Sequence, residues 1–518
     1  MSDTAMPEHP ESDELCNQVD VDRLRLIGDD EFTVEWDADA QVTPAGSLVF
    51  FAHYLQTAGL MDRLCERTPL AYTSNNAPKD RDVLGTILLS ILMGQKRYAH
   101  INALRNDPVS AEVLGISKMV SEDSVRRAFK RGTQEQWDEW LTKQERAVYE
   151  PLLSEPYILD IDNTIKPIYG HQEGAEIGYN PKKPGRPSHN YHTYLIGSLR
   201  IVLGVEVSAG KQHSAKCGLP GLWSILDSLP PSSRPRLIRG DIAYGNEGIM
   251  SEAEQRGQRY LFRLKKTTNV QRKIREIEKA SEVWTNTSEG WQGTECMIKL
   301  TGWSKQRRCI ILRHPKKKPV EPKALPEKSG DEFEFVKQVD VEGLYEYAAL
   351  ITNDDESIVA LAQLYRERAD CENVFDEIKN QWGWGGFMTQ DLKRCRIIAR
   401  LIALVYNWWN IFARLARPAQ HMEAITSRPL LLNAVGRLVK TGRQKILHLT
   451  SSHAQADKIR LALNRIGQFF NDLSRTAEQL SAEARWAVIL SAAFIKWLCG
   501  RILHPVTEND QILLQLNI

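Results

Sequence analysis

The sequence predicts an α/β protein, a mixed sheet with helices on its faces and helical regions flanking it on both sides. Apolar residues recur at three-to-four spacing from about 46 to 150 and again beyond 356, which is the period of packed helices. Between them lie short segments rich in Val, Ile, Leu and Tyr, bounded by Gly, Pro, Asn or Ser, which read as strands. Those strands are interrupted by helical stretches at 217–229 and 245–257, and such alternation builds a sheet covered by helices. At 518 residues, 42% hydrophobic and 26% charged, the chain has ample core material, which excludes disorder, collagen and coiled coil as overall classes. Its eight cysteines form no CxxC and no Cys/His pair at zinc spacing, so a reducing cytoplasm is expected. The apolar stretches around 401–416 and 486–499 are too short and too polar for a membrane span, and no export signal opens the chain.

In chain order, residues 1–40 read as a flexible acidic tail, with 13 acidic against 2 basic side chains, a balance of −11. The whole chain carries +1, so the remainder carries +12, a charge suited to a polyanionic partner such as nucleic acid. Residues 41–150 read as a helical, DNA-binding domain. Within it PVSAEVLGI, a turn at Gly115, and Ser121-Glu122-Asp123 opening SVRRAFKR lay out two short helices, the second capped by Ser121. That helix carries Arg126, Arg127 and Lys130. A helix-turn-helix reader of DNA and an ordinary basic surface helix both fit this layout.

Residues 151–266 contain the strands YILDIDNT (157–164), HTYLIGSLRI (192–201), VLGVEVSA (202–209), PRLIRGDIAY (235–244) and RYLFRLKK (259–266). Residues 267–350 turn to short Trp- and Thr-bearing strands around a Lys/Pro-rich loop at 314–328, a β-rich insertion. A long helix is predicted over about 356–380, within a segment 351–400, and residues 401–518 read as helical. Basic residues gather at KKPGRPSHNYH, with Lys182, Lys183 and Arg186. They gather again at 256–280, nine basic against two acidic and including Lys265 and Lys266, and at 303–323, eight against one. Contact with a phosphate backbone and a plain solvated face are the two readings of such runs.

Acids stand where a sheet-built active site needs them. Asp160 and Asp162 are two apart on one strand, hence on one face, at the end of an apolar run. Asp241 ends the strand LIRG. On the long helix Tyr365, Arg368, Glu372 and Lys379 fall at offsets 0, 3, 7 and 14, a single narrow stripe at about 100° per residue. Glu372 on this stripe could close a cation site opened by two aspartates, since hard divalent cations take oxygen ligands. Asp376 projects close by as the rival third acid, and a solvated face of i,i+4 ion pairs is the plain alternative.

The string YRERADCENVFDEIK fits Y-x2-R-x3-E-x6-K at every position, and in this it resembles the DDE transposases of bacterial insertion sequences that carry the YREK signature. LDIDNTIKPIYGHQEGAEIGYNPKKPGRPSHNYH and LIRGDIAYGNEG resemble the two aspartate motifs of their group numbered thirteen-eighty. The resemblance covers roughly 150–400 closely. It implies a ribonuclease-H-like catalytic core interrupted by the β-rich insertion, with Asp162, Asp241 and Glu372 as catalytic, metal-binding triad. Two Mg²⁺ ions, with Mn²⁺ as substitute, are implied as cofactors, and Asp162 is favoured over Asp160 because Asn163-Thr164 follows it. Tyr365, Arg368 and Lys379 are implied to hold DNA phosphate, alongside the basic loops above. Trp284, Trp291 and Trp303 are the candidates to stack a base if the DNA end is cut through a hairpin, although each also suits a core position. The implied partners are double-stranded DNA, both terminal inverted repeats and target, and a second copy in a synaptic homodimer. A DNA-binding regulator without catalysis, or a nuclease of the same fold that does not join strands, are the alternatives.

Overall fold

The computed structural model describes residues 23–26, 32–178, 180, 183–212, 219–280, 283–316, 344–384, 386–387, 389–418, 420–451, 455–475 and 480–503. Most of the acidic tail, Lys182, and Lys317 and Lys318 of the 314–328 loop lie outside these residues. The first short strands, β1 (Arg23–Leu26) and β2 (Phe32–Glu35), pair with each other, and β3 (Val42–Thr43) belongs to a small sheet described below.

The centre is a ten-stranded mixed sheet. Its first half comprises β4 (Ile158–Pro167), β5 (Glu176–Ile177), β6 (Pro187–Ile196), β7 (Ile201–Ala209), β8 (Leu237–Gly240) and β9 (Tyr260–Arg263). Its second comprises β10 (Thr285–Asn286), β11 (Gln292–Ile298), β12 (Arg307–Pro315) and β13 (Tyr345–Thr352). The order is β10-β11-β12-β13-β9-β8-β4-β6-β5, with β7 also on β6. β4, β8 and β9 are mutually parallel, and every other pairing is antiparallel. Parallel strands need crossovers, and the helix Glu247–Gln255 supplies the one between β8 and β9.

The strands of the 267–350 stretch extend this same sheet, because β13 pairs with β9. The stretch opens with a helix, Thr268–Lys279, where the sequence reading began its β-rich character. Val270, Ile274 and Ile277 recur at four and three residues and are buried, so a helical period was present in a segment too polar to stand out. The helical reading of 401–518 likewise misses a hairpin of β14 (Gly436–Thr441) and β15 (Gln444–Leu449), joined by Gly442-Arg443 and completed by β3. Gly442 sits at φ +58°, a conformation that costs glycine nothing and lets a two-residue loop turn the chain.

The helix Leu392–Ala416 is buried along most of its length, and it closes the sheet edge at β7. Asn407 accepts from the Val202 N–H at 2.9 Å and donates to its carbonyl at 2.7 Å, while Arg396 Nε donates to the Val207 carbonyl at 2.9 Å. Side chains thus satisfy backbone groups that an unpaired edge would leave open. The helix Gln134–Tyr149 packs beside it on the same β7-facing side through Arg400, whose guanidinium meets Glu145 at 2.6 Å in the interior. Among the described residues no helix is long and apolar enough to cross a membrane.

Candidate active site

β4 and β8 run in register, Asp160 beside Arg239 and Ile161 beside Gly240. The next residues, Asp162 within β4 and Asp241 just past the end of β8, therefore stand at the same level. Gly240 makes the turn into Asp241 feasible, since a Cβ there would stand 2.7 Å from the Tyr244 ring and 2.9 Å from Ile161. The Asp241 carboxylate accepts from the Ala243 N–H at 2.9 Å, which fixes the turn.

The long helix of the sequence reading is broken in two, Ile358–Arg366 and Ala369–Gln381. The cause is Arg239. Its Nε and Nη2 bind the two oxygens of Asp160 at 2.6 and 2.8 Å, and its Nη1 donates to the carbonyl of Leu364. That carbonyl would be the helical acceptor for the Arg368 N–H, which instead donates to Tyr365 at 3.2 Å, followed by Cys371 N–H to Arg368 at 2.9 Å. With Asp370 N–H to Glu367 at 3.3 Å, three i→i−3 bonds tighten the chain at this point, as in a 3₁₀ turn. Asp160, only 1% exposed, is thereby consumed by a buried ion pair, while Asp162 is left facing the cleft. The two aspartates share a face, as their spacing predicts, yet have separate surroundings.

A cleft of about 510 Å³ is lined by Asp162, Asp241 and Glu372 together with Tyr365, Arg368, Trp291 and Arg263. The Arg368 guanidinium stands between two of the acids, 3.3 Å from Asp162 and 3.4 Å from Glu372. Burial pushes the Asp162 carboxyl up to about 6, with the charges of Asp241 and Glu372 adding to the effect and Arg368 and the Asn163 N–H opposing it. Glu372 projects largely into solvent, its side chain 70% exposed. Among the described residues no three acid, histidine or cysteine side chains are gathered tightly enough to enclose an ion. The donor set is nonetheless that of a hard divalent cation: carboxylate oxygens lining one cleft and under mutual repulsion. Asp376 accepts from Asn380 at 2.7 Å on the outer face and does not line the cleft.

The family model described as Transposase DDE domain group 1 matches residues 27–470. The chain belongs to the DDE transposases. Enzymes of this family cut and join DNA and generally use divalent metal ions. A cryo-EM structure of a piggyBac transposase synaptic complex with hairpin DNA aligns with 92% of this chain and 85% of that chain, at 9% identity and a TM-score of 0.35. The comparison with curated proteins gives no match.

In this DDE transposase the three tryptophans are separated by their surroundings. Trp303 is buried beneath Arg307, and Trp284 packs against the Arg313 guanidinium at 3.9 Å. Trp291 alone of the three lines the cleft, its ring 5.2 Å from that of His314. It follows the Ser288–Gly290 turn, which Arg366 holds to the Tyr365 helix by donating to the Ser288 carbonyl at 2.5 Å.

Much of the predicted basic surface is neutralised internally. In the 303–323 run Arg307 is buried against Glu247 and Glu254, Arg308 pairs with Glu295, and Arg313 with Glu278. In the 256–280 run Arg256 and Arg259 are paired, whereas Lys265 and Lys266 remain exposed just beyond β9. The two predicted short helices stand at Pro108–Val113 and Glu122–Ala128, with Gly115 at φ +65° and Ser121 accepting from the Ser124 N–H. Arg126 pairs with Glu122 and lies over Tyr98, which leaves Arg127 and Lys130 exposed. Lys379 is half-buried and outside the cleft. Lys183 and Arg186 are exposed at a loop beyond β4.

Two residues that matter here escaped the sequence reading. Arg263 reaches the cleft from the carboxyl end of β9, hidden in a basic run. Arg239 was legible in principle, because a charged residue inside the core strand LIRG demands a buried partner, and the neighbouring apolar strand offers Asp160.

Proposed function

We propose that this transposase binds the terminal inverted repeats of its own mobile element, cuts there, and joins the freed 3′ ends to target DNA, as a member of the YREK-bearing insertion-sequence group numbered thirteen-eighty. The observation that carries the reading is the single cleft shared by Asp162, Asp241, Glu372, Tyr365 and Arg368, in a chain whose family match spans residues 27–470. A ribonuclease-H-like core is supported by the run β7-β6-β4-β8-β9, an antiparallel three-strand meander followed by two strands parallel to its first.

Asp162, Asp241 and Glu372 are the residues that would hold two Mg²⁺ ions. Those ions would supply activation of a water or 3′-hydroxyl on one side and stabilisation of the leaving oxygen on the other. For its part, Arg368 pulls Asp162 toward the ionised form a ligand must have, and it is placed to pair with a phosphate oxygen once Glu372 turns inward. The Tyr365 hydroxyl stays protonated, because burial raises its pKa, so it donates to phosphate and does not attack it. Trp291 at the cleft is the residue to receive a base extruded during hairpin formation. The protein works where DNA is, in the cytoplasm at the nucleoid.

Replacing Asp162, Asp241 or Glu372 by Ala is expected to abolish Mg²⁺-dependent cleavage and joining of an end duplex while end binding stays within a few-fold, since phosphate contacts dominate affinity. Active Glu372→Ala protein, or DNA trapped covalently on Tyr365, would sink the mechanism. Cleavage without strand-transfer product would favour the nuclease reading, and end binding with no cleavage the regulator.

A further inference from the structure

The strand that carries Asp162 runs on past it to Pro167, and two residues later stands Tyr169, 67% exposed. Two cations lie over its ring, the Lys183 ammonium 5.0 Å and the Arg186 guanidinium 4.8 Å from the centroid. Lys183 also donates to the Tyr169 hydroxyl oxygen. Both cations are exposed, and neither pairs with a carboxylate among the described residues. This sets them apart from Arg307, Arg308 and Arg313, whose charges are met within the fold. An aromatic ring is holding two like charges together with no protein anion between them.

The loop is built to keep them there. The Lys183 N–H donates to Asn180 Oδ1 at 3.0 Å, the Arg186 N–H to the Lys183 carbonyl at 3.2 Å, and the Ile168 N–H to the Pro187 carbonyl at 2.8 Å. Gly185 takes φ +75° between Pro184 and Arg186, and β5 ties the loop back to β6. These bonds fix the described residues of the loop before an anion arrives, and such preorganisation favours binding.

We propose that Tyr169, Lys183 and Arg186 form a clamp for one backbone phosphate of the bound DNA, set at a fixed distance from the scissile phosphate. The inference rests on the transposase reading above and adds a measurable spacing to it. Seven residues separate Asp162 from Tyr169, two of them past the strand's end at Pro167, which at about 3.3 Å per residue is at most roughly 23 Å. A duplex rises about 3.4 Å per nucleotide along its axis and winds through a turn in about ten base pairs, so a straight reach of that length meets a phosphate some four to five nucleotides from the cut on one strand. Lys183 and Arg186 supply the charge, and the ring of Tyr169 keeps them converged while its hydroxyl serves as a third polar contact.

The test places a single neutral methylphosphonate at each position from 1 to 12 along either strand of an end duplex and measures binding by the full-length protein. Binding is expected to fall about tenfold for substitutions four to five nucleotides from the cut on one strand. A Lys183→Gln/Arg186→Gln variant is expected to lose that interference, to keep interference elsewhere, and to show a salt dependence shallower by about one to two phosphate contacts. Tyr169→Ala should weaken the same positions by severalfold, and Tyr169→Phe less. These side chains are exposed, so unchanged thermal unfolding of each variant confirms that the fold is intact. Interference that is absent from positions four and five, or that persists in the double variant, overturns the clamp. Wild-type protein that fails to cut any end duplex overturns the transposase reading instead, whereas normal cutting with unaltered interference overturns only the clamp.

Discussion

At Asp162 the requirements of stability and chemistry oppose each other. Its carboxyl is moved from an ordinary 3.8 to about 6, mainly by burial and further by Asp241 and Glu372. An acid whose pKa is raised on folding holds its proton more tightly in the native state. Its contribution is therefore favourable at low pH and is lost as pH rises through about 6. The displacement of about two units corresponds to about 2–3 kcal/mol at neutral pH, net of the attraction of Arg368. Asp162→Asn is accordingly expected to raise the unfolding free energy at pH 7 by about 2 kcal/mol, with the gain gone below pH 4. Urea denaturation at both pH values without added metal measures this, and an equal gain at both would assign the effect to packing and not to charge.

The signature segment is shaped less by its own sequence than by what grips it. Arg239 takes the Leu364 carbonyl and both oxygens of Asp160, so the helix breaks where Arg368 must lie between Asp162 and Glu372. On the far side of the break, a Cβ at Gly197 would stand 2.6 Å from both Asp160 Oδ2 and Cys371 Sγ, so the contact tolerates only glycine. Removing one partner of a buried ion pair strands the other charge, at a typical cost of about 3–5 kcal/mol. Arg239→Met and Asp160→Asn should each destabilise by about that order, and the double variant by clearly less than their sum. Additive losses in a double-mutant cycle would mean the pair does not act as a unit.

Across the molecule, one sheet brings together acids that are 79 and 131 positions apart in sequence, because β4 and β8 are parallel neighbours and the Tyr365–Glu372 segment packs over them. The β10–β13 strands extend the sheet so that Trp291 and the cleft face each other. Among the described residues each chain offers one such cleft, whereas joining two DNA ends to one target needs two. A dimer on DNA is therefore expected under the proposed function. Mixing active protein with increasing Glu372→Ala protein should depress coupled two-end cleavage faster than single-end cleavage. A loss merely proportional to dilution would favour independent monomers.

By itself the sequence laid out in order the main strands and helices from 157 to 266, through the change from a 3.6-residue to a two-residue apolar period, and the resemblance of its motifs pointed to Asp162, Asp241 and Glu372. It also placed Asp160 and Asp162 on one face, since that follows from strand geometry alone. Only the tertiary structure decided which aspartate faces the cleft, because the partner that consumes Asp160 lies 79 residues away on another strand. The break after Arg366 was illegible for the same reason: the helix's own residues favour continuation, and an arginine from β8 takes the carbonyl that would continue it. The charge runs misled where local composition is silent about neutralisation. Arg307 and Arg313 meet glutamates from the Glu247–Gln255 and Thr268–Lys279 helices, and only folding shows that Lys183 and Arg186, in a shorter run, are left without such partners among the described residues.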